Sequence, residues 1–227
     1  GDHYLHGSFV YPDYAPPTRK IPLVLRKCYN KNCNLVQLGH SIDPSILYAR
    51  YGYRSSLNQK MTAHLKSLVN SIGVRSNVNR VLSIGGNDCY SLSCYPPNTI
   101  KVVVDPCDIV NTVKIPNLSV INDVYPSKKM SISYEGYFDV VEMVACFYDC
   151  NEPVTVAKQI AFNLAPEGVA VIEVSYWPDK MSAGAFDEVC QEHVCFYTLS
   201  NLEDVFSKAG LKLVRARKND INGGSIQ

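Results

Sequence analysis

Short apolar segments alternate with helical stretches through residues 81–217, and this alternation constrains the fold more than any other feature of the sequence. The apolar segments lie at 81–84, 100–104, 120–121, 138–144, 169–174 and 212–217. Helical stretches are predicted at 153–164 and 199–209. Such alternation is typical of a mostly parallel sheet with helices on both faces. The sequence therefore predicts an α/β fold of the Rossmann-like kind, in which ligands bind at the carboxyl ends of the strands.

A smaller unit precedes this sheet. Residues 1–42 are expected to form a head, within which 21–38 alternate weakly in hydrophobicity and predict a short hairpin. The apolar positions of 44–72 follow helical spacing, with a break near Gly52. We expect this helical region to begin the main domain, which would span 43–227.

Composition limits the kinds of partner. The 227 residues include 46% hydrophobic residues, enough for one main domain. A net charge of +1 gives no overall attraction to nucleic acid or to an anionic membrane. No apolar run is long enough to span a membrane, and no charged-then-apolar leader is found. The nine cysteines are odd in number, which favours reduced thiols and a cytoplasmic location.

Polar and glycine residues at the ends of three strands predict a site for a nucleoside cofactor. These residues are Gly85, Gly86, Asn87, Asp88, Asp105, Asn122 and Asp123. The glycines allow a tight turn and close approach of a ligand, and Asp105 follows Gly85 by 20 residues, as a βαβ unit requires. We expect Asp105 to accept hydrogen bonds from the ribose hydroxyls and Asn122-Asp123 to read adenine. NAD is disfavoured, because no G-x-G-x-x-G is present.

Three groups of residues, taken in order, resemble the sugar C-methyltransferase family. The first group is 35–38, which follows a cysteine pair, together with 51–55 and His64. The second group is 84–88. The third group is 192–193 and 196–197, followed by 222–225. The resemblance implies S-adenosylmethionine as cofactor, a zinc-binding head and a central methyltransferase domain. The C-terminal extension of that family has no counterpart here.

The sequence departs from the family at several positions. The family usually has an acidic residue at Ser83 and glycine at Cys89. Its Tyr-His-Glu-His stretch stands here as Cys190-Gln191-Glu192-His193, and the first cysteine pair of the zinc head is missing. These departures indicate either a changed substrate or weakened chemistry.

The resemblance also implies catalytic and substrate-binding residues. Methylation of a carbon beside a ketone requires a base, for which His193 is the candidate, with Glu192 orienting it or holding a substrate hydroxyl. The acceptor pocket is expected to include Tyr51, Tyr53, Arg54 and Glu173. Arg54 would bind a phosphate of a nucleotide-linked acceptor.

Zinc is a further expectation for the head. Cys28 and Cys33 are spaced compatibly with zinc, and His3 and His6 would complete a tetrahedral set. The alternative is a metal-free hairpin.

Two other functions stay open. A viral RNA cap methyltransferase cut from a polyprotein would explain Gly1 and Gln227 as protease-generated ends, but the balanced charge and Glu173, where a lysine would be wanted, argue against ribose methylation. A cofactor-binding or scaffolding module without catalysis is supported by Ser83, Cys89 and Cys190. The sequence leaves the oligomeric state open.

Overall fold

The computed structural model describes residues 1–4, 20–48, 51–73, 78–130 and 134–227. The strands are β1 (Asp2–Tyr4), β2 (Lys20–Pro22), β3 (Leu25–Lys27), β4 (Val36–Leu38), β5 (Arg80–Ile84), β6 (Ile100–Val104), β7 (Leu118–Ile121), β8 (Phe138–Val144), β9 (Leu164–Ser175), β10 (Cys195–Phe196), β11 (Lys218–Asn219) and β12 (Ser225–Ile226). The helices are α1 (Pro44–Tyr48), α2 (Gln59–Gly73), α3 (Tyr90–Ser93), α4 (Pro153–Asn163), α5 (Trp177–Ala183) and α6 (Leu199–Ser207). Short 3₁₀ helices lie at Ser55–Leu57, Asp108–Thr112, Phe147–Asp149, Phe186–Glu188 and Ile221–Gly223.

A seven-stranded sheet in the order β11-β12-β9-β8-β5-β6-β7 forms the centre of the molecule. The five strands from β9 to β7 are parallel, and β12 and β11 add an antiparallel edge. The chain runs from β5 outward to β7 and then returns to β8 on the other side of β5. This reversal opens a crevice at the carboxyl ends of β5 and β8. The predicted α/β fold is confirmed.

Residues of the central strands alternate between two hydrophobic clusters. Val81, Val103 and Val140 pack on one face with Leu68, Val69 and Ile72 of α2. Leu82, Val102 and Val141 pack on the other face with Ile160 of α4 and Val205 of α6. Both faces of the sheet are covered, which is why these strands appear in the sequence as continuous apolar runs.

The hairpin predicted at 21–38 is present as β3 and β4. Strand β4 also pairs with β10, so the hairpin shares a three-stranded sheet with the C-terminal part of the chain. The predicted helical region divides into α1 and α2, separated around Gly52. The boundary of the head near residue 42 stays a prediction.

The prediction of a strand at 212–217 is wrong. Residues 211–217 are irregular, and pairing begins only with two 2.8 Å backbone hydrogen bonds between Arg217 and Gln227. Leu213 and Val214 are 41% and 84% exposed, because no strand in the described part of the chain lies beside them. Apolar content alone therefore did not produce a strand there.

None of the nine cysteines is in a disulfide in the structure. Within the described ranges, none of the helices has the length and apolar character needed to cross a membrane.

Candidate active site

A cavity of about 410 Å³ opens at the carboxyl ends of β5, β6 and β8. Its size is within the range of pockets for small ligands and cofactors. The cavity extends from Tyr125, after β7, across Asp105 at the end of β6 to Asp149 beyond β8. It therefore lies at the reversal of strand order, where the sequence placed the cofactor.

The turn after β5 forms part of the cavity wall and allows little space for side chains. Gly85 has φ +64°, and a Cβ atom on it would lie 2.6 Å from Cys146 Sγ. A Cβ atom on Gly86 would lie 2.7 Å from Val103 Cγ2. Cys89, where a glycine was expected, also has a positive φ of +59°. The turn thus has the left-handed backbone that favours glycine, even where a cysteine occupies it.

Asn87 and Asp88 attach the tyrosine-rich segment to this turn. Asn87 Nδ2 donates to the Tyr53 carbonyl at 3.0 Å, and its Oδ1 accepts from the Ser55 amide at 3.1 Å. Asp88 Oδ2 accepts from the Ser56 amide at 3.0 Å. Asn87 lines the cavity, whereas Asp88 is outside its lining. The two side chains hold the segment that covers the cavity.

Asp105 has the burial and hydrogen bonding expected of a fixed acceptor. Its Oδ2 accepts from the Asn87 amide and its Oδ1 from the Cys107 amide, both at 2.7 Å. Burial raises the pKa of Asp105, while these two amides and the charge of Arg54 lower it. Each carboxylate oxygen has a second lone pair, so the group can accept two further bonds from a diol.

Asn122 and Asp123 support the loop after β7 and do not line the cavity. Asn122 Nδ2 donates to the Asp105 carbonyl at 2.9 Å, and Asp123 Oδ2 accepts from Ser127 Oγ at 2.8 Å. The hydrogen bond from Ser127 is the main cause that lowers the pKa of Asp123. The adjoining wall is formed by 124–126, an apolar surface suited to an adenine ring.

The opposite end of the cavity combines tyrosines with buried carboxyl groups. Tyr48, Tyr51 and Asp149 line it. Tyr51 OH donates to Oε2 of the buried Glu192 at 2.9 Å. Asp149 Oδ1 is buried and has no hydrogen-bond partner among the described residues.

Burial raises the pKa of Asp149 well above its ordinary value, and Glu192 raises it further, while the Tyr48 hydroxyl lowers it. Sequence reasoning missed Asp149 and Tyr48. The available signal for Asp149 was its position shortly after the carboxyl end of a predicted strand.

His193 lies behind this end of the cavity. Its Nδ1 is 2.8 Å from the Glu188 carbonyl oxygen, and its ring contacts the Tyr148 ring edge-on with 4.5 Å between centroids. Tyr148 lines both the main cavity and a small separate pocket that includes His193. The fold therefore brings Glu192 to Tyr51 but leaves one aromatic ring between His193 and the cavity.

Arg54 and Tyr53 belong to the segment over the cavity. Arg54 Nη1 donates to the carbonyl oxygens of Tyr51 and Tyr53 at 2.6 and 2.8 Å, so it braces its own segment. Tyr53 lines the cavity and is partly exposed.

Glu173 is almost completely buried beside the cavity, outside its lining. Its Oε2 lies 2.8 Å from His64 Nε2 and accepts from Asn219 Nδ2 at 3.0 Å. These contacts connect β9 to α2 and β11.

Glu142 is a second carboxyl group that sequence reasoning missed. It lies on β8, lines the cavity and is 1% exposed. Burial raises its pKa, while the Ser91, Ser83 and Tyr95 hydroxyls lower it. The sequence signal that could have identified Glu142 was the presence of a glutamate inside an apolar strand.

The predicted zinc ligands do not form a metal site in the described part of the chain, where no group of three or more His, Cys, Asp or Glu residues could hold a metal ion. His3 lies on β1, opposite Ile21 of β2. Cys28 precedes the turn between β3 and β4, and Cys33 is the last residue of that turn. His6 lies outside the described residues, and zinc stays a prediction.

A model of the methyltransferase domain family matches residues 53–216. The C-methyltransferase NovU of Streptomyces niveus is 26% identical over 206 residues, covering 86% of this chain and 48% of the relative. The chain thus spans about half the length of the curated relative it matches.

Solved structures resemble the fold. The complex of the Haloferax volcanii Trm112 methyltransferase activator with its methyltransferase matches with a TM-score of 0.57 and 15% identity, over 72% of this chain and 78% of that chain. Phosphoethanolamine N-methyltransferase 2 of Haemonchus contortus, in complex with phosphomonomethylethanolamine and S-adenosylhomocysteine, matches with a TM-score of 0.56 and 16% identity, over 69% and 39% of the two chains.

Proposed function

This chain belongs to the methyltransferase domain family and is an S-adenosylmethionine-dependent methyltransferase, and from that premise we propose that it methylates a carbon atom of a nucleotide-linked keto-sugar. The single observation that carries the proposal is the buried carboxyl group of Asp149, which lines one end of the cavity together with Tyr51, whose hydroxyl donates to the buried Glu192. The likeness to the C-methyltransferase NovU supports transfer to carbon.

The cavity suits S-adenosylmethionine. Asp105 would accept hydrogen bonds from the ribose hydroxyls, and 124–126 would contact the adenine ring. The unpartnered oxygen of Glu142 at the cavity wall fits a cationic ligand. When bound, S-adenosylmethionine supplies a methyl group already activated for transfer, so the protein has mainly to align the acceptor.

Transfer to a carbon beside a ketone requires that carbon to lose a proton. Asp149 has an unpartnered oxygen at the cavity and a raised pKa, which are properties of a general base. Access favours Asp149 over His193 as the base, since the Tyr148 ring contacts His193 and also lines the cavity. Tyr51, which lines the cavity and is held in place by Glu192, would then bind a sugar hydroxyl and orient the ring.

The test separates proton removal from methyl transfer. A nucleotide-linked keto-sugar deuterated beside the ketone is incubated with the enzyme and S-adenosylhomocysteine, and loss of deuterium is followed by mass spectrometry. We expect the wild type to exchange deuterium and, with S-adenosylmethionine, to form the C-methylated sugar. Asp149→Asn should do neither, while still binding S-adenosylhomocysteine.

Asp204→Asn is the matched control, because Asp204 is an exposed partner of Lys208 on α6. It should behave as the wild type. Methylation that persists in Asp149→Asn would contradict the base assignment. Cofactor binding without deuterium exchange or transfer on any keto-sugar would contradict the substrate class and favour a module without catalysis.

A further inference from the structure

Glu142 of β8 lies directly beside Ser83 of β5 in the parallel pair at the centre of the sheet. Both residues line the cavity, close to the turn that follows β5. An ionisable group in the middle of a buried strand costs free energy unless it has partners. The partners of its two oxygens therefore decide whether the cavity has to supply one.

The two oxygens of Glu142 differ in their surroundings. Oε2 accepts hydrogen bonds from Ser91 Oγ and Tyr95 OH, each at 3.0 Å, which fix the side chain in place. Oε1 is buried and has no hydrogen-bond partner among the described residues. Buried polar atoms are nearly always satisfied in native proteins, so an unsatisfied one at a cavity wall indicates a ligand group.

The charge of the cavity defines that ligand group. Among the described residues, the lining includes no lysine or arginine. A cationic donor in the ligand would therefore be the partner that compensates an ionised Glu142. A primary ammonium group suits this role, because it has three donors and a full positive charge.

The order of the strands indicates which part of the ligand reaches Glu142. With adenine beside 124–126, after β7, and ribose at Asp105, at the end of β6, the rest of the ligand extends over β5 to β8. We propose that Glu142 Oε1 binds the ammonium group of the methionyl part of S-adenosylmethionine, and that Ser91 and Tyr95 position the carboxylate for it. This inference rests on the proposed binding of S-adenosylmethionine in the cavity.

The test compares ligands with and without the ammonium group by calorimetric titration. Glu142→Gln should bind S-adenosylhomocysteine about tenfold to hundredfold more weakly than the wild type, the usual effect of losing a charge-assisted hydrogen bond. Its affinity for methylthioadenosine, which lacks the amino-acid part, should be unchanged. Asp139→Asn is the matched control, since Asp139 is at the other end of β8 and pairs with Arg80.

A measurement on the wild type alone covers the case in which Glu142→Gln does not fold. The deaminated analogue of S-adenosylhomocysteine, which keeps the carboxylate, should bind about tenfold to hundredfold more weakly than the parent. Equal affinity for the two, or an equal loss of S-adenosylhomocysteine and methylthioadenosine binding in Glu142→Gln, would overturn the assignment. If the wild type bound neither nucleoside, the binding of S-adenosylmethionine itself would be refuted.

Discussion

The Tyr51 hydroxyl donates a 2.9 Å hydrogen bond to Glu192 Oε2, although the two residues are 141 positions apart in the chain. Tyr51 precedes the first strand of the main sheet, and Glu192 follows the fifth parallel strand. The bond therefore joins two loops that meet only after the sheet has formed. It also fixes the Tyr51 side chain at the cavity end where we propose that the acceptor binds.

Replacing Tyr51 by phenylalanine tests the value of this bond. Tyr51→Phe leaves Glu192 Oε2 buried without this donor, at a cost of about 1–3 kcal/mol. We expect kcat to fall about tenfold to hundredfold, while the affinity for S-adenosylhomocysteine stays unchanged. Steady-state kinetics with the keto-sugar measures kcat, and calorimetry measures the affinity for S-adenosylhomocysteine. Tyr29→Phe is the control, because Tyr29 is 96% exposed; a wild-type kcat in Tyr51→Phe would contradict the role of the bond.

Asp149 is expected to reduce stability as the pH rises. Burial raises its folded-state pKa well above the ordinary value of 3.8, so the fold disfavours the ionised form. The wild type should therefore lose stability as the pH rises from the unfolded pKa through the folded one. Asp149→Asn removes this effect and should melt at a higher temperature than the wild type at about pH 8, with the difference shrinking toward about pH 4.

Thermal unfolding of both proteins across this pH range, with Asp204→Asn as the surface control, checks the prediction. A melting difference that is independent of pH would mean that Asp149 is not a buried acid with a raised pKa.

The strands β5, β6 and β8 could be predicted because they are buried on both faces and are therefore apolar at most positions. The same criterion failed at 212–217, since apolar content cannot show whether a neighbouring strand exists. Hydrogen bonding in a sheet is decided by the partner as much as by the strand itself.

The cofactor end of the site could be predicted, because Gly85 and Asp105 are fixed by local spacing in one βαβ unit. The acceptor end could not be predicted in full, since Asp149 and Tyr51 meet Glu192 only through the tertiary fold. Sequence spacing places a residue at a strand end but does not set the direction of its side chain, as Asn122 illustrates.

At position 89, a glycine should give a more stable protein than an alanine, which is the reverse of the usual order. Glycine normally destabilises regular structure relative to alanine, but a left-handed φ of +59° costs a side chain about 1–2 kcal/mol. Cys89→Gly and Cys89→Ala both lose the thiol from the cluster with Leu92 and Val103. We expect Cys89→Gly to be about 1 kcal/mol more stable than Cys89→Ala in urea unfolding. The opposite order would show that packing outweighs backbone strain here.

Glu173 and His64 form a pair whose removal should affect stability more than substrate binding. Glu173→Ala leaves His64 and Asn219 without their shared acceptor, and leaving buried hydrogen-bonding groups unsatisfied costs about 1–3 kcal/mol. Denaturant unfolding measures this loss, and the double variant with His64→Ala should lose less than the sum of the two single variants. An increase in the KM for the acceptor at unchanged stability would instead support the sequence-based prediction that Glu173 contacts the substrate.

Gly85 should tolerate no side chain. Gly85→Ala combines left-handed backbone strain with a Cβ atom 2.6 Å from Cys146 Sγ, for a total of about 2–5 kcal/mol. Gly73→Ala is the control, because nothing lies within 4 Å of its added Cβ atom and it ends α2. Adding Cys146→Ala to Gly85→Ala should recover the steric part of the loss but not the backbone part. If the double variant regained all of the stability in urea unfolding, steric contact alone would explain the glycine.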